Sequence, residues 1–172
     1  MKPAQLEVRD HGDLLRFSFD DLVKYAGRSS IGGVAHGFKV MERALPLLDD
    51  GAPPEREDIS IESAFGGGGA RDAFEMVTRA VTGGRFHCDQ SLAPDGPPSP
   101  MGQYVFWFSH RSGTTVQLTL RPGFVLDEFV DLAKRGASNP AEEERLAALK
   151  QEMADLLLSR PATEVYDAVP TH

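Results

Sequence analysis

The sequence has very little cysteine and no long apolar run. Its single cysteine, Cys88, excludes an internal disulfide and any zinc or iron–sulfur site built from several thiolates. The longest apolar segments are far shorter than a membrane-spanning helix requires. The first 13 residues lack the apolar core of a secretory signal, so we expect a cytoplasmic protein.

Positive charge is also scarce. The 172 residues include 18 Lys and Arg against 26 Asp and Glu, which gives a formal net charge of −8. No cluster of basic residues interrupts this acidic excess. The balance argues against a nucleic-acid-binding surface and against binding to an anionic membrane.

Familiar catalytic motifs are missing as well. The sequence contains no HExxH helix, no Walker loop, no paired-carboxylate motif and no Ser-His-Asp order typical of a triad. No set of residues demands catalysis. The sequence therefore leaves open whether the protein is an enzyme.

What the chain does contain is the pattern of one α+β domain. Apolar residues make up 41% of the sequence, which is ordinary for a globular protein with a real core. Tyr104–Phe108 and Thr115–Leu120 flank a polar turn and predict an aromatic hairpin. We therefore predict a mixed or antiparallel sheet packed by helices, in a single domain over residues 14–172. Residues 1–13 are predicted to be a loosely ordered N-terminal segment.

Several residues predict where the helices begin and end. Ser18, Ser30 and Asn139 are candidate N-caps, because a side-chain oxygen at that position accepts hydrogen bonds from first-turn amides. Pro46 should end or kink the helix that follows Ser30. The proline-rich segment 91–102 is predicted to be either a plain connector or a lid.

The stretch Ile59–Asp89 contains the clearest candidate binding site. A predicted strand ends at Phe65, four glycines follow (Gly66, Gly67, Gly68 and Gly69), and an amphipathic helix starts near Ala70. Bare backbone amides beside a helix N-terminus can bind an acidic or phosphate-bearing ligand. The alternative is a loop that needs unusual dihedrals or tight packing. The predicted pocket combines this loop with nearby side chains, namely Ser30, Phe65, Arg71 and Phe86.

The helix after Ser30 carries a second group of small residues. Gly33, Gly37 and Ala44 share a face next to its apolar stripe, and glycine in a helix needs a reason. Close packing is one reason and approach of a ligand is the other. Together with the Tyr104–Phe108 strand, which is apolar on both faces, this face predicts a homodimer.

Histidines are the candidate metal ligands. His36 and His87, with His110 as a third candidate, could form a zinc site. However, His36 lies opposite the apolar stripe of its helix, which favours ordinary solvent exposure. Cys88 neighbours His87 on a predicted strand, so the two side chains point to opposite faces. We expect Cys88 to be a small buried apolar residue.

Four segments in order resemble the formylmethanofuran dehydrogenase E-subunit family. They are SIGGVAHGFKVMERAL, GGGGARDAFEMVTRAVTGG, YVFWFSHRSGTTVQLTLRP and LLLSRPATEVYDAV, and the resemblance covers about Phe19 to Val169. It implies an α+β fold, a dimer and a metal site in the position of the predicted pocket. In that family the usual metal ligands are the His and Cys of an HGHxCPG motif and a second Cys.

This chain departs from the family at each of those ligand positions. The first motif aligns with residues 27–33, which contain no His or Cys, and the second Cys aligns near Gly69. The cysteine-rich zinc ribbon of some members is absent. We therefore expect a small-molecule-binding protein or enzyme with a glycine-lined pocket and a degenerate metal site. The alternative is a zinc-binding accessory protein that uses His36 and His87 as relocated ligands.

Overall fold

The computed structural model describes residues 4–95 and 99–171, so the middle of the predicted proline-rich loop lies outside it. Six α-helices lie within these ranges: α1 (Phe19–Ala26), α2 (Ile31–Ala44), α3 (Gly68–Thr78), α4 (Asp127–Arg135), α5 (Pro140–Leu158) and α6 (Ala162–Val165). Seven strands accompany them: β1 (Leu6–Asp10), β2 (Asp13–Phe17), β3 (Ile59–Phe65), β4 (Phe86–Cys88), β5 (Gly102–His110), β6 (Thr115–Leu120) and β7 (Tyr166–Thr171). Among the described helices, none is both long enough and apolar enough to cross a membrane.

The main sheet confirms the α+β prediction. Its five strands lie in the order β4-β3-β5-β6-β7, and every neighbouring pair is antiparallel except β3 with β4. The aromatic hairpin forms as predicted, with Phe106 opposite Leu118 and Phe108 opposite Val116. These four side chains are buried on one face of the sheet. Residues that alternate with them, such as Val105 and Trp107, lie half-buried on the other face.

The N-terminal segment is ordered from Leu6 onwards, so its prediction as loosely held is wrong. β1 and β2 form an antiparallel hairpin with Leu6 opposite Phe17. Leu6 and Val8 are buried in the core. The turn places both His11 and Gly12 in the left-handed region, at φ 51° and φ 88°. This conformation suits a two-residue hairpin turn.

The central helix, α2, is covered on almost every side. It packs against α3, α5, α6 and the strands β6 and β7, and most of its residues are buried. In a helix that is surrounded in this way, the apolar stripe does not show which residues are exposed to solvent. The prediction of solvent exposure for His36 is wrong for this reason, because His36 is only 3% exposed.

Glycine allows α2 and α3 to approach closely. A Cβ atom added at Gly37 would lie 2.7 Å from the Cβ of Ala73, and one added at Gly69 would lie 2.6 Å from the carbonyl oxygen of Ser30. A side chain at either position would force its neighbours to shift. The small-residue face of α2 therefore packs inside this chain, which corrects its predicted use as part of a dimer interface.

Most of the helix boundaries follow the predicted signals. The side chains of Ser18 and Asn139 accept hydrogen bonds from first-turn amides of α1 and α5. Pro46 follows the end of α2, in a 3-10 turn over Leu45–Leu47. Ser30 differs from the prediction, because its side chain makes no capping bond and a 3-10 turn, Arg28–Ser30, leads into α2 instead.

Candidate functional site

A cavity of about 210 Å³ lies where the first turns of α2 and α3 meet. One wall consists of residues at the start of α2, including Gly32 and Gly33, and another is the Gly67–Gly69 segment at the start of α3. β5, α4 and α5 complete it with larger side chains. The cavity lies between two of the predicted pocket elements, the glycine segment and the start of α2, but Phe86 and the rest of β4 do not line it.

The positive end of α3 opens on this cavity without a cap. Gly67 occupies the N-cap position and has no side chain that could accept from the first-turn amides. A Cβ atom at Gly68 would have no neighbour within 4 Å, so the backbone there is open to a ligand. Free amides and the helix dipole together favour a negatively charged group at this place.

The C-terminal end of α3, unlike its N-terminal end, is capped by side chains. Two arginines donate hydrogen bonds to its last carbonyl groups: Arg56 Nε to Val77 at 3.0 Å, and Arg85 Nη2 to Thr78 at 3.0 Å. With Arg79 and Arg111 they line a surface hollow of about 540 Å³. Capping the negative end of α3 accounts for the positions of Arg56 and Arg85. The amides at the positive end have no side chain in the corresponding N-cap role.

His36 lines the cavity as a nearly buried, neutral ring. Its Nδ1 atom lies 2.8 Å from the hydroxyl oxygen of Tyr166. Its ring stacks on Tyr104 with centroids 4.3 Å apart. Burial lowers the pKa of His36 from 6.5 to about 3, because a charged imidazolium would lose its hydration. At neutral pH the ring therefore carries one proton.

Apolar and cationic side chains complete the walls. Phe65 also stacks on Tyr104, with centroids 4.4 Å apart, and burial raises the pKa of Tyr104 to about 12. Lys150 of α5 donates a hydrogen bond from Nζ to the carbonyl oxygen of Ser29 at 3.2 Å, and both of these residues line the cavity. Met153 of α5 and Phe129 of α4 supply further apolar surface. No Asp or Glu lies among the described residues that line the cavity.

Some of the predicted pocket residues line this cavity and others do not. The lining includes Ser30, Phe65, Gly67, Gly68, Gly69 and His36. Gly66 lies just outside the lining, and its amide donates to the carbonyl oxygen of Met101 at 2.7 Å. Arg71 is exposed on α3, and Phe86 packs against Phe74 outside the cavity lining.

Of the two structural explanations for the glycine run, unusual dihedrals and tight packing, only tight packing applies. None of Gly66, Gly67, Gly68 or Gly69 has a positive φ, so unusual dihedrals do not explain the run. Tight packing explains Gly69, as described above. At Gly67 a Cβ atom would collide with the ring of Phe65.

The structure does not bring His36 and His87 together. His87 is exposed on the edge strand β4, where it lies opposite Glu62, whereas His36 is buried in the helical layer. Neither belongs to the group of possible metal ligands found in the described part of the chain, which is Asp10, His11 and Glu57. All three of those residues lie at the surface near the β1–β2 turn.

Cys88 is exposed, so the prediction that it is buried is wrong. β4 has three residues and lies at the edge of the sheet, which leaves its side chains partly uncovered. Cys88 still makes a polar contact, because its thiol donates to the carbonyl oxygen of Phe65 at 3.4 Å. It does not line the cavity.

Two residues around His36 and its cavity, Tyr166 and Lys150, are not identified by sequence patterns. Tyr166 belongs to a C-terminal segment that is mostly polar in sequence, yet it forms the buried start of β7. Lys150 lies outside the apolar stripe of α5, so periodicity gives no reason to select it. Tyr104 belongs to the predicted aromatic strand, and its alternation with buried Phe106 and Phe108 is the signal that places it on the helix-facing side.

Comparison of the sequence with known protein families finds no match, and comparison with curated proteins finds none either. The resemblance to the formylmethanofuran dehydrogenase E-subunit family therefore stays a prediction that depends on the order of four segments.

Proposed function

We propose that this protein binds a small anionic molecule, carrying a carboxylate or phosphate group, in the cavity between α2 and α3. One observation carries the proposal: a buried neutral histidine, His36, lines a cavity that opens on the uncapped N-terminus of α3. The ring edge of His36 and the open backbone at the first turn of α3 present polar groups to the same cavity. A bound anion would satisfy both.

The charges around the cavity support an anion over a cation. Lys150 contributes a positive charge, the first turn of α3 contributes the positive end of its helix dipole, and no carboxylate lies in the described lining. The chain as a whole carries a formal charge of −8, so a described lining with one lysine and no carboxylate differs from the overall composition. This difference favours an anionic ligand.

The size and the apolar walls limit the ligand further. Ligand sites for drug-sized molecules have volumes of roughly 300–1,000 Å³, and this cavity of about 210 Å³ is smaller. Phe65, Met101, Phe129 and Met153 give it an apolar side. The ligand class that fits is a compact organic acid or phosphate ester with an apolar portion.

A binding role agrees better with these residues than a catalytic one. The described lining contains no cysteine and no carboxylate, and the hydroxyl groups of Ser29 and Ser30 make no hydrogen bond to a base among the described residues. His36 has a pKa of about 3, too low for efficient general acid–base catalysis at neutral pH. We therefore propose a binding protein first, with an enzyme as the broader possibility that the same site allows.

Replacement of Gly68 tests the site directly. Leucine at position 68 would extend from a backbone that has open space around it, so the fold should tolerate it while the cavity mouth becomes blocked. Arg71→Leu is the matched control, because it adds leucine to an exposed position of the same helix outside the cavity. Binding of small carboxylates and phosphates, beginning with acetate and inorganic phosphate, can be measured by calorimetry and thermal shift.

We expect the wild-type protein and Arg71→Leu to bind the same anion with equal affinity. Gly68→Leu should lose at least about tenfold in affinity, which corresponds to about 1.4 kcal/mol. A folded Gly68→Leu variant that binds as tightly as the wild type would contradict the assignment of this cavity.

Two further proposals rest on the resemblance and on the sheet. We propose that the chain has the scaffold of the formylmethanofuran dehydrogenase E-subunit family without its usual metal ligands. We also propose a homodimer formed through the outer face of the sheet, because Val105 and Trp107 are half-buried there and Val169 is 56% exposed. Covering such a face reciprocally is typical of two-fold interfaces.

The zinc-binding alternative requires a different site from the one predicted. Since His36 and His87 lie apart, the group of possible metal ligands within residues 4–95 and 99–171 is the surface cluster of Asp10, His11 and Glu57. The two ring nitrogens of His11 already face the carboxylates of Asp10 and Glu57, at 3.2 and 3.4 Å. These exposed contacts explain the grouping without a metal, so we place this alternative second.

A further inference from the structure

The hydrogen bond between Tyr166 and His36 determines which nitrogen of the histidine carries its proton. Nδ1 of His36 and the hydroxyl oxygen of Tyr166 are 2.8 Å apart, and both residues are buried. A neutral histidine has one N–H donor and one acceptor nitrogen, and a tyrosine hydroxyl has one proton to donate. Two arrangements of protons are therefore compatible with the distance.

The two arrangements leave different donors without an acceptor among the described residues: the Tyr166 hydroxyl in the core, or Nε2–H of His36 at the cavity. If Nδ1 carried the proton, the hydroxyl proton of Tyr166 would need a second acceptor, and no described residue other than His36 makes a hydrogen bond with that hydroxyl. If Tyr166 donates to Nδ1, its proton is satisfied and the ring proton lies on Nε2. A buried donor without a partner is strongly disfavoured, so the second arrangement is favoured.

The other ring nitrogen, Nε2, is accessible from the cavity. Tyr166 does not line the cavity, whereas His36 does, so the Nδ1 edge faces the core. Nε2 of His36 makes no hydrogen bond to a described residue, and it lies on the opposite edge of the ring from Nδ1. Nε2 is therefore the ring nitrogen that a ligand in the cavity can reach.

We propose that Tyr166 is a positioning residue that fixes His36 as an Nε2–H donor toward the ligand. This inference rests on the proposed anion-binding function and makes it more specific. A fixed N–H donor, the amides of α3 and the Lys150 ammonium together present donors to the ligand. The site then selects a group that accepts hydrogen bonds through deprotonated oxygen atoms and discriminates against an amide or amine of the same shape.

Nitrogen NMR of the histidine ring tests the proton position without any ligand. Long-range proton–nitrogen spectra distinguish the two neutral tautomers, and His36→Gln identifies the His36 signals. We expect a protonated Nε2 and an unprotonated Nδ1 in the wild-type protein at neutral pH. A protonated Nδ1 would overturn the proposal.

Tyr166→Phe tests the positioning role. The phenyl ring keeps the contact with Phe106, whose centroid lies 6.1 Å away, so the fold should persist, and thermal unfolding checks this. We expect the His36 signals to shift to a mixture of tautomers and the affinity for acetate or inorganic phosphate to fall about five- to tenfold. Tyr25→Phe removes a hydroxyl at an exposed position and should change neither.

The outcomes separate this inference from the proposed function. Binding with an unchanged tautomer in Tyr166→Phe would overturn the positioning role and keep the anion site. An Nε2–H tautomer that depends on Tyr166, without binding of any anion, would overturn the ligand class and the proposed function and leave the positioning role intact. If Tyr166→Phe does not fold, the wild-type tautomer decides the proposal.

Discussion

Burial of neutral His36 should make the stability of this protein depend on pH in a way that a single substitution removes. The folded pKa is about 3 and the ordinary value is 6.5. Because the pKa of His36 is lower in the folded protein, the unfolded chain binds a proton below about pH 6.5 while the folded protein does not. The contribution to stability is complete above about pH 6.5 and is lost progressively as pH falls toward 3.

The magnitude follows from these two values. Between pH 7.5 and 5.5, the unfolded histidine becomes largely protonated while the folded one does not, which removes about 1.4 kcal/mol from the free energy of unfolding. Both pH values lie above the isoelectric point of about 5.1, where loss of net charge promotes association. Urea unfolding at the two pH values measures the change.

Two variants separate His36 from the other titrating groups. His36→Gln should lose about 1.4 kcal/mol less than the wild type over this interval, since glutamine does not titrate. His87→Gln removes an exposed histidine and should keep the wild-type dependence. Equal pH dependence in the wild type and in His36→Gln would show that His36 protonates freely in the folded protein, which would refute the reasoning about the buried ring.

Three other predictions concern packing, assembly and metal. Gly37→Ala places a Cβ atom 2.7 Å from that of Ala73 and should destabilise the fold by about 1–3 kcal/mol in urea unfolding, whereas Gly32→Ala, whose nearest contact would be 3.7 Å, should change stability much less. Light scattering at micromolar concentration should give a dimer mass that Trp107→Glu reduces to a monomer, and a monomeric wild type would contradict the proposed interface. Metal analysis of untagged protein should find zinc well below one atom per chain, and stoichiometric zinc that His11→Ala abolishes would favour the metal-binding alternative instead.

The sequence predicted the elements whose ends carry a local signal, such as a helix-capping residue or a polar turn. Ser18 and Asn139 cap their helices because short polar side chains reach the first-turn amides. The β5–β6 hairpin forms where alternating apolar residues flank a polar turn. The strand, glycine and helix order of the predicted pocket is also present, since each part has its own signal in the sequence.

Features that depend on several elements at once were not predictable in this way. The apolar stripe of α2 predicts one buried face, and His36 lies on the opposite face. That opposite face is buried as well, by elements distant in sequence that the pattern of α2 does not reveal. β7 escapes prediction because Val169 and Asp167 are exposed on a short edge strand and make it resemble a polar tail.

The β1–β2 hairpin, by contrast, could have been predicted. Its signal is the His11-Gly12 turn between two apolar-alternating segments.

The most direct test of the anion site is a titration of isotope-labelled protein followed by amide NMR. Acetate and inorganic phosphate are added separately, and the proton–nitrogen signals of the backbone are recorded. The proposal predicts saturable shifts concentrated at Gly67–Gly69 and at Gly32 and Gly33. Shifts confined to the arginine-lined hollow around Arg79 and Arg85, or no saturable shift with either anion, would contradict it.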